Sequence, residues 1–214
     1  MNDPMAQIEM LTKGMLPAGQ TLADILKPET IEIISKCSQD IGMNIIAFER
    51  YKPWMILMVL SATKLQSLGF SPENGLDFHY YKRAVSLNKK IIGLETMNEQ
   101  LALFDNIAES DQDIFVKQGL EDFMTIGDDI DEIIKAWKIG DLDKLNTILL
   151  KNMHKYPDLY DTLILNRNKK WMKTISEIMD SGETTMIIVG AGHLSGKDGL
   201  VQLLKNENFK LEQL

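Results

Sequence analysis

Thr184-Thr185-Met186-Ile187-Ile188-Val189-Gly190-Ala191-Gly192-His193-Leu194-Ser195-Gly196-Lys197-Asp198-Gly199 decides how the chain is read. Its first six residues are a short β-branched apolar run of the kind that forms a strand buried on both faces. A glycine loop follows, then the helical pattern Leu200, Val201, Leu203 and Leu204. In open α/β sheets such a turn lies at the carboxyl ends of strands, where ligands bind, and small residues let backbone approach a ligand closely. Two phosphate motifs nearly fit. A Walker A loop would need glycine where Ala191 stands and a hydroxyl where Asp198 stands. A dinucleotide fingerprint would need its third glycine at Ser195, and only 15 residues follow Gly199. What remains is an imidazole just beyond a strand end, which makes His193 the leading site candidate. The competing reading is a histidine that hydrogen-bonds its own turn.

A second apolar run, Lys90-Ile91-Ile92-Gly93-Leu94, ends at Glu95, the same kind of position as His193. If the two runs are neighbouring parallel strands, about 4.8 Å apart, both side chains open into one site. Ile91, Ile92, Ile187 and Ile188 are then buried. Phe209 to Leu214 is a weaker third strand. Apolar recurrence at three and four predicts helices over 29–41, 53–68, 76–87, 97–108, 112–138, 141–152 and 158–180. Thr96 with Glu99 has the spacing of a capping box. The expected fold is a helix-rich α/β domain spanning 1–214, a small mostly parallel sheet surrounded by many helices. So thin a sheet suggests strands lying outside this sequence.

Composition narrows the function. A net charge of −8, from 23 basic and 31 acidic residues, has the wrong sign for neutralising nucleic-acid phosphates. Cys37 alone excludes an internal disulfide framework and a cysteine-rich zinc site. The longest apolar run, Trp54 to Leu60, is far short of the roughly 20 residues that span a bilayer, so no transmembrane segment is expected. Met1 to Met10 lack the basic start and apolar stretch of a secretory signal. His79 and His154 have poorer contexts than His193. Asp128, Asp129, Asp131 and Glu132 lack the ligand alternation and central glycine of a calcium loop and read as a solvated helical face. Trp54, Trp137 and Trp171 have apolar helical neighbours and read as core. Arg167, in Asn166-Arg167-Asn168, reads as a surface ion pair.

An ordered series of short motifs runs through the chain. It comprises Met15-Leu16-Pro17, Gly19-Gln20-Thr21-Leu22, Lys52-Pro53-Trp54, Gly75-Leu76-Asp77 with Ala84, and Lys90 to Thr96 with Glu99-Gln100. It continues with Trp137 ahead of Gly140-Asp141, Arg167-Asn168 with Trp171, and Val189 to Leu194 with Gly196, Gly199 and Leu200. In order and spacing it resembles the TraB/GumN family over nearly the whole chain. That family is similar to Tiki metalloproteases, PrgY, erythromycin esterases and ChaN proteins. The resemblance implies an erythromycin esterase/ChaN-like fold with two Gly-x-x-His motifs and an early glutamate around a divalent metal, manganese, cobalt or zinc. It implies a metal-dependent hydrolase, a peptidase being the finer class, with a metal-activated water as nucleophile. His193 becomes a metal ligand, Glu95 a catalytic carboxylate and Arg167 a substrate or oxyanion contact. Gln100, Asn168, Gly190 and Gly192 become substrate contacts.

Only the C-terminal Gly-x-x-His, Gly190-Ala191-Gly192-His193, is present, and no histidine precedes His79. The N-terminal Gly-x-x-His strand and the glutamate strand are therefore expected to be missing, leaving an N-terminally truncated domain, an incomplete site and weak metal binding. The alternative function is a noncatalytic domain that binds a peptide or small ligand. The family likeness suggests an exported or periplasmic protein if an upstream signal has been removed.

Overall fold

A computed structural model describes residues 4–107 and 109–214, with the side chains of 4–7, 109, 110 and 154 outside the description. The side chain of His154 therefore lies outside the described residues. The chain forms two compact units, residues 1–91 with 96–127 and residues 92–95 with 128–214.

The first unit holds α1 (Pro4–Lys13), α2 (Pro28–Asp40), α3 (Pro53–Ser67), α4 (Leu76–Ser86), α5 (Met97–Asp105) and the beginning of α6 (Glu109–Ile139). Pro28 and Pro53 open their helices at the first turn, where a missing N–H costs nothing and the fixed φ is already helical. Pro53 through Leu57, with Leu60, are buried, as expected of a helix apolar nearly all round. Trp54 stacks on Phe104 at 5.7 Å between ring centroids and donates its Nε1–H to Asp105 Oδ1 at 3.1 Å. Gly119 of α6 lets Leu57 approach: a β-carbon there would lie 2.5 Å from Leu57 Cδ1. Thr96 and Glu99 form the expected capping box at the start of α5.

The second unit comprises the end of α6, α7 (Leu142–Leu149), α8 (Pro157–Tyr160), α9 (Asn166–Asp180), α10 (Ala191–Leu194) and α11 (Leu200–Asn206). A π-helical turn, Asp161–Leu165, joins α8 to α9. Trp171, Met172, Ile175 and Leu200 form its core, and Leu94, Val189, Leu194, Leu203 and Leu204 pack around them.

The expected parallel sheet is not there. Among the described residues there is no β-strand, and the one isolated bridge pairs Met15 with Tyr51 in antiparallel sense. Residues 89–93, 183–190 and 209–214 carry no regular secondary structure. Ile91 and Ile92 are 49% and 53% exposed, and Ile187 and Ile188 are 36% and 39% exposed, so the burial expected of all four is also wrong. The physical reason is that β-branched apolar runs favour a pleated surface but do not supply the partner whose N–H and C=O groups make a ladder. The protein is helical, and the α/β assignment is corrected accordingly. Trp137, expected in the core, is 50% exposed near the end of α6. No described helix is long and apolar enough to cross a membrane.

Asp113 of α6 anchors the start of α2. It accepts the Lys27 backbone N–H at 3.2 Å and the Thr30 hydroxyl at 2.5 Å, and pairs with Lys117 at 3.1 Å. Burial pushes its carboxyl up, but the hydrogen bonds from Thr30, Lys117 and Lys27 together outweigh burial and hold it below its ordinary value. Because its folded pKa is depressed, its stabilisation is present above the unfolded value and disappears as pH falls through the folded one. Asp113→Ala is expected to lose about 2–4 kcal/mol at neutral pH, with a deficit that shrinks in acid. Urea unfolding of both proteins at a series of pH values measures this.

Candidate functional site

Unit two gathers Glu95, Arg167, Asn168, Trp171 and His193. Arg167 and Asn168 lie in the first turn of α9, and Trp171 follows at helical spacings of four and three, so all three share one side of the helix. Leu94 packs against the Trp171 cluster and brings Glu95 with it. His193 sits in the one-turn helix α10 and is 9% exposed.

Arg167 is the hub. Its Nε donates to Glu95 Oε2 at 3.2 Å and its Nη2 to Glu95 Oε1 at 2.5 Å, a bidentate pair whose side chains are 16% and 14% exposed. Nη1 donates to the Leu163 carbonyl of the π turn at 3.1 Å and lies 3.1 Å from His193 Nε2. The guanidinium also sits 4.8 Å from the Trp171 ring centroid, within cation–π range. The bland surface ion pair expected of Arg167 is thus replaced by a largely buried contact.

On its other edge the imidazole meets Asn168, with Nδ1 at 2.8 Å from Oδ1, while the Trp171 ring lies 4.5 Å away. Burial first, and the Arg167 charge second, push the His193 pKa down to about 4. His193 is therefore neutral at physiological pH. Nearby, Tyr160 donates its hydroxyl to Asp198 Oδ2 at 3.1 Å; burial, with the carboxylate beside it, pushes the phenol up to about 12. Ser195 Oγ and Trp171 Nε1 are buried without hydrogen-bond partners.

The glycines of the loop do different things. Gly196 has φ +79 and a β-carbon there would lie 2.6 Å from Asn146 Oδ1, while one at Gly199 would collide with the Leu194 and Ser195 carbonyls. Gly190 and Gly192 have more room: β-carbons there would come no closer than 3.9 Å to His193 Cδ2 and 3.6 Å to Leu150 Cδ2. Asn168 has no exposed surface, which removes it from direct substrate contact in this conformation. Gln100 is an exposed residue of α5 in unit one, whereas the cluster is built from unit-two residues. His79 is exposed and edge-on to Tyr80 at 5.1 Å. Asp129 pairs with Lys151, and Glu132 pairs with Lys144 at 2.8 Å, consistent with a solvated acidic face.

A divalent metal fits this cluster in kind and falls short in number. A neutral imidazole whose Nδ1 is held by a side-chain oxygen would coordinate through Nε2, but here Nε2 faces Arg167 Nη1 at 3.1 Å, a cation that a metal ion would have to displace. Glu95, held by the same guanidinium, offers a carboxylate. Catalytic zinc normally takes three protein ligands, and no group of three potential ligands occurs among the described residues.

A model of the TraB/PrgY/gumN family matches residues 1–213. The chain belongs to this family. It is 28% identical to YbaP of Escherichia coli K12 over 193 residues, covering 89% of the chain and 70% of YbaP, and matches YbaP of Shigella flexneri equally. It is 20% identical over 192 residues to a metalloprotease TIKI homologue of Amphimedon queenslandica, covering 78% of the chain and 38% of that protein. No solved structure matches. Arg167-Asn168 with Trp171 and Gly190 to His193, two of the segments on which the sequence resemblance rests, meet in space. Sequence reasoning missed Tyr160, and it missed that Asn168 and Trp171 pack directly on His193. The i, i+4 spacing of Arg167 and Trp171 was the available signal.

His193 carries a pH signature. Its folded pKa lies below the unfolded value, so the unfolded chain binds the proton first as pH falls from about 6.5 toward 4, and stability declines through that window. Thermal unfolding of His193→Gln is expected to show a flatter pH dependence between those limits than the parent protein.

Proposed function

We propose that this chain is a metal-dependent hydrolase of the TraB/PrgY/gumN family directed at peptide-like substrates. The carrying observation is one guanidinium in contact with both Glu95 and His193 Nε2. The kinship with a protein named as a metalloprotease supports the same class of chemistry.

In this reading His193 Nε2 and Glu95 would hold the ion, which would supply Lewis-acid chemistry. Arg167 is the electrostatic element. Its Nη1–H, now directed at His193, is the donor that a substrate carbonyl oxygen takes over as negative charge develops on it. Glu95 keeps the guanidinium oriented through two bonds, so the donor is already aimed before substrate arrives. Trp171 backs the guanidinium plane and excludes water from that side. With only two protein ligands, an ion would be held weakly.

One observation favours a second reading, a noncatalytic peptide- or small-ligand-binding domain: Glu95, Arg167 and His193 already satisfy one another. Calorimetry with manganese, cobalt and zinc, combined with hydrolysis of a fluorogenic peptide library, separates the two. The hydrolase reading expects a Kd of about 10 μM or weaker, abolished by His193→Ala, and a roughly 100-fold loss of turnover in Arg167→Gln. Peptide binding without turnover, unaffected by metal, would establish the binding domain instead. Tight metal binding that survives His193→Ala would place the metal elsewhere.

A further inference from the structure

Asn168 is completely buried, yet all of its side-chain polar atoms are committed to the loop that carries His193. Its Nδ2 donates to the Asp198 carbonyl at 2.8 Å and to the His193 carbonyl at 3.2 Å. Both partners are acceptors only. A flipped amide would set Oδ1 against two carbonyl oxygens, so the observed orientation is the one the chemistry permits. Oδ1 is thereby left facing His193 Nδ1 at 2.8 Å, and since it can only accept, Nδ1 must carry the hydrogen. On the opposite edge of the ring, Arg167 Nη1 can only donate, so Nε2 at 3.1 Å must present its lone pair.

We propose that Asn168 is a positioning residue: it locks His193 in the Nδ1–H tautomer and aims the Nε2 lone pair at the Arg167–Glu95 pair. The inference rests on the reading of His193 as the functional imidazole but makes no use of metal or substrate. The amide performs a second task with the same atoms. By holding the carbonyls of residues 193 and 198 together, it fixes the ring's position as well as its protonation pattern. A buried amide suits this task because it is uncharged and carries both donor and acceptor. An aspartate would hold Nδ1–H equally well but would face the two carbonyls with no donor.

Only three histidines occur in the chain, so NMR of the 214-residue chain labelled with ¹⁵N-histidine and ¹³C-asparagine resolves His193 by its loss in His193→Gln. The wild type is expected to show a protonated Nδ1 and an unprotonated Nε2, together with a coupling across the hydrogen bond between His193 Nδ1 and Asn168 Cγ. In Asn168→Ala the Nδ1–H signal is expected to give way to averaged signals of both tautomers, and Asn168→Asp should restore the Nδ1–H form. Far-UV circular dichroism checks that each variant is folded. An Nε2–H tautomer in the wild type, or absence of the trans-hydrogen-bond coupling, overturns the proposal even if the alanine variant does not fold. A folded Asn168→Ala that keeps the wild-type tautomer overturns it too, because Arg167 alone would then suffice. Failure of metal binding or hydrolysis leaves these signals unchanged, so the proposal and the hydrolase reading fail separately.

Discussion

The Arg167 guanidinium joins three pieces of chain: the segment ending at Glu95, the continuous π turn and α9 to which it belongs, and the glycine loop. One planar fork contacts Glu95 at the end of an irregular segment, the Leu163 carbonyl in a π turn, the face of Trp171 in its own helix and His193 in a glycine loop. A largely buried cation is tolerated only when paired and hydrogen-bonded, and arginine suits the role because its rigid donors match a carboxylate bidentately. Removing either partner of the Glu95–Arg167 pair leaves the other charge uncompensated, which costs more than the pair contributes net. The segment 92–95 therefore owes its place in unit two to this pair and to Leu94 packing on the Trp171 core. The π turn directly before α9 places an accepting carbonyl beside the guanidinium, in keeping with the frequent occurrence of such turns at functional sites.

Much of this was legible in the residues. The predicted helices appear with ends shifted by a few residues, because periodicity reports the buried face and not the cap, whereas α1 and the one-turn α10 fall outside every predicted range. Thr96 and Glu99 formed their box because that interaction is local and complete within four residues. Glu95 and His193 both contact Arg167, but neither ends a strand, so the strand-end pattern is not what brings them together. The strands failed for a reason intrinsic to sheets. A helix satisfies its own backbone, whereas a strand depends on partners distant in sequence, and an apolar run such as Met186 to Val189 carries no information about them. Asn168 was equally hidden: its role depends on the Asp198 and His193 carbonyls, 30 and 25 residues away. Trp137 shows the same limit, since apolar neighbours do not specify which face of a 31-residue helix is covered.

The electrostatics of the cluster constrain what it can recognise. Glu95 and Arg167 cancel, and His193 is neutral at physiological pH, so the site carries no net charge. The whole chain carries −8. Its summed field draws cations toward the surface and repels anions, without helping to orient a neutral group. A strongly anionic substrate would meet both that field and a guanidinium already committed to Glu95. An uncharged amide carbonyl faces neither obstacle, since it needs only the single N–H that Arg167 now directs at His193. On the proposed hydrolase reading, recognition at this site would come from short-range hydrogen bonding to a polarised carbonyl, not from charge attraction to an anion.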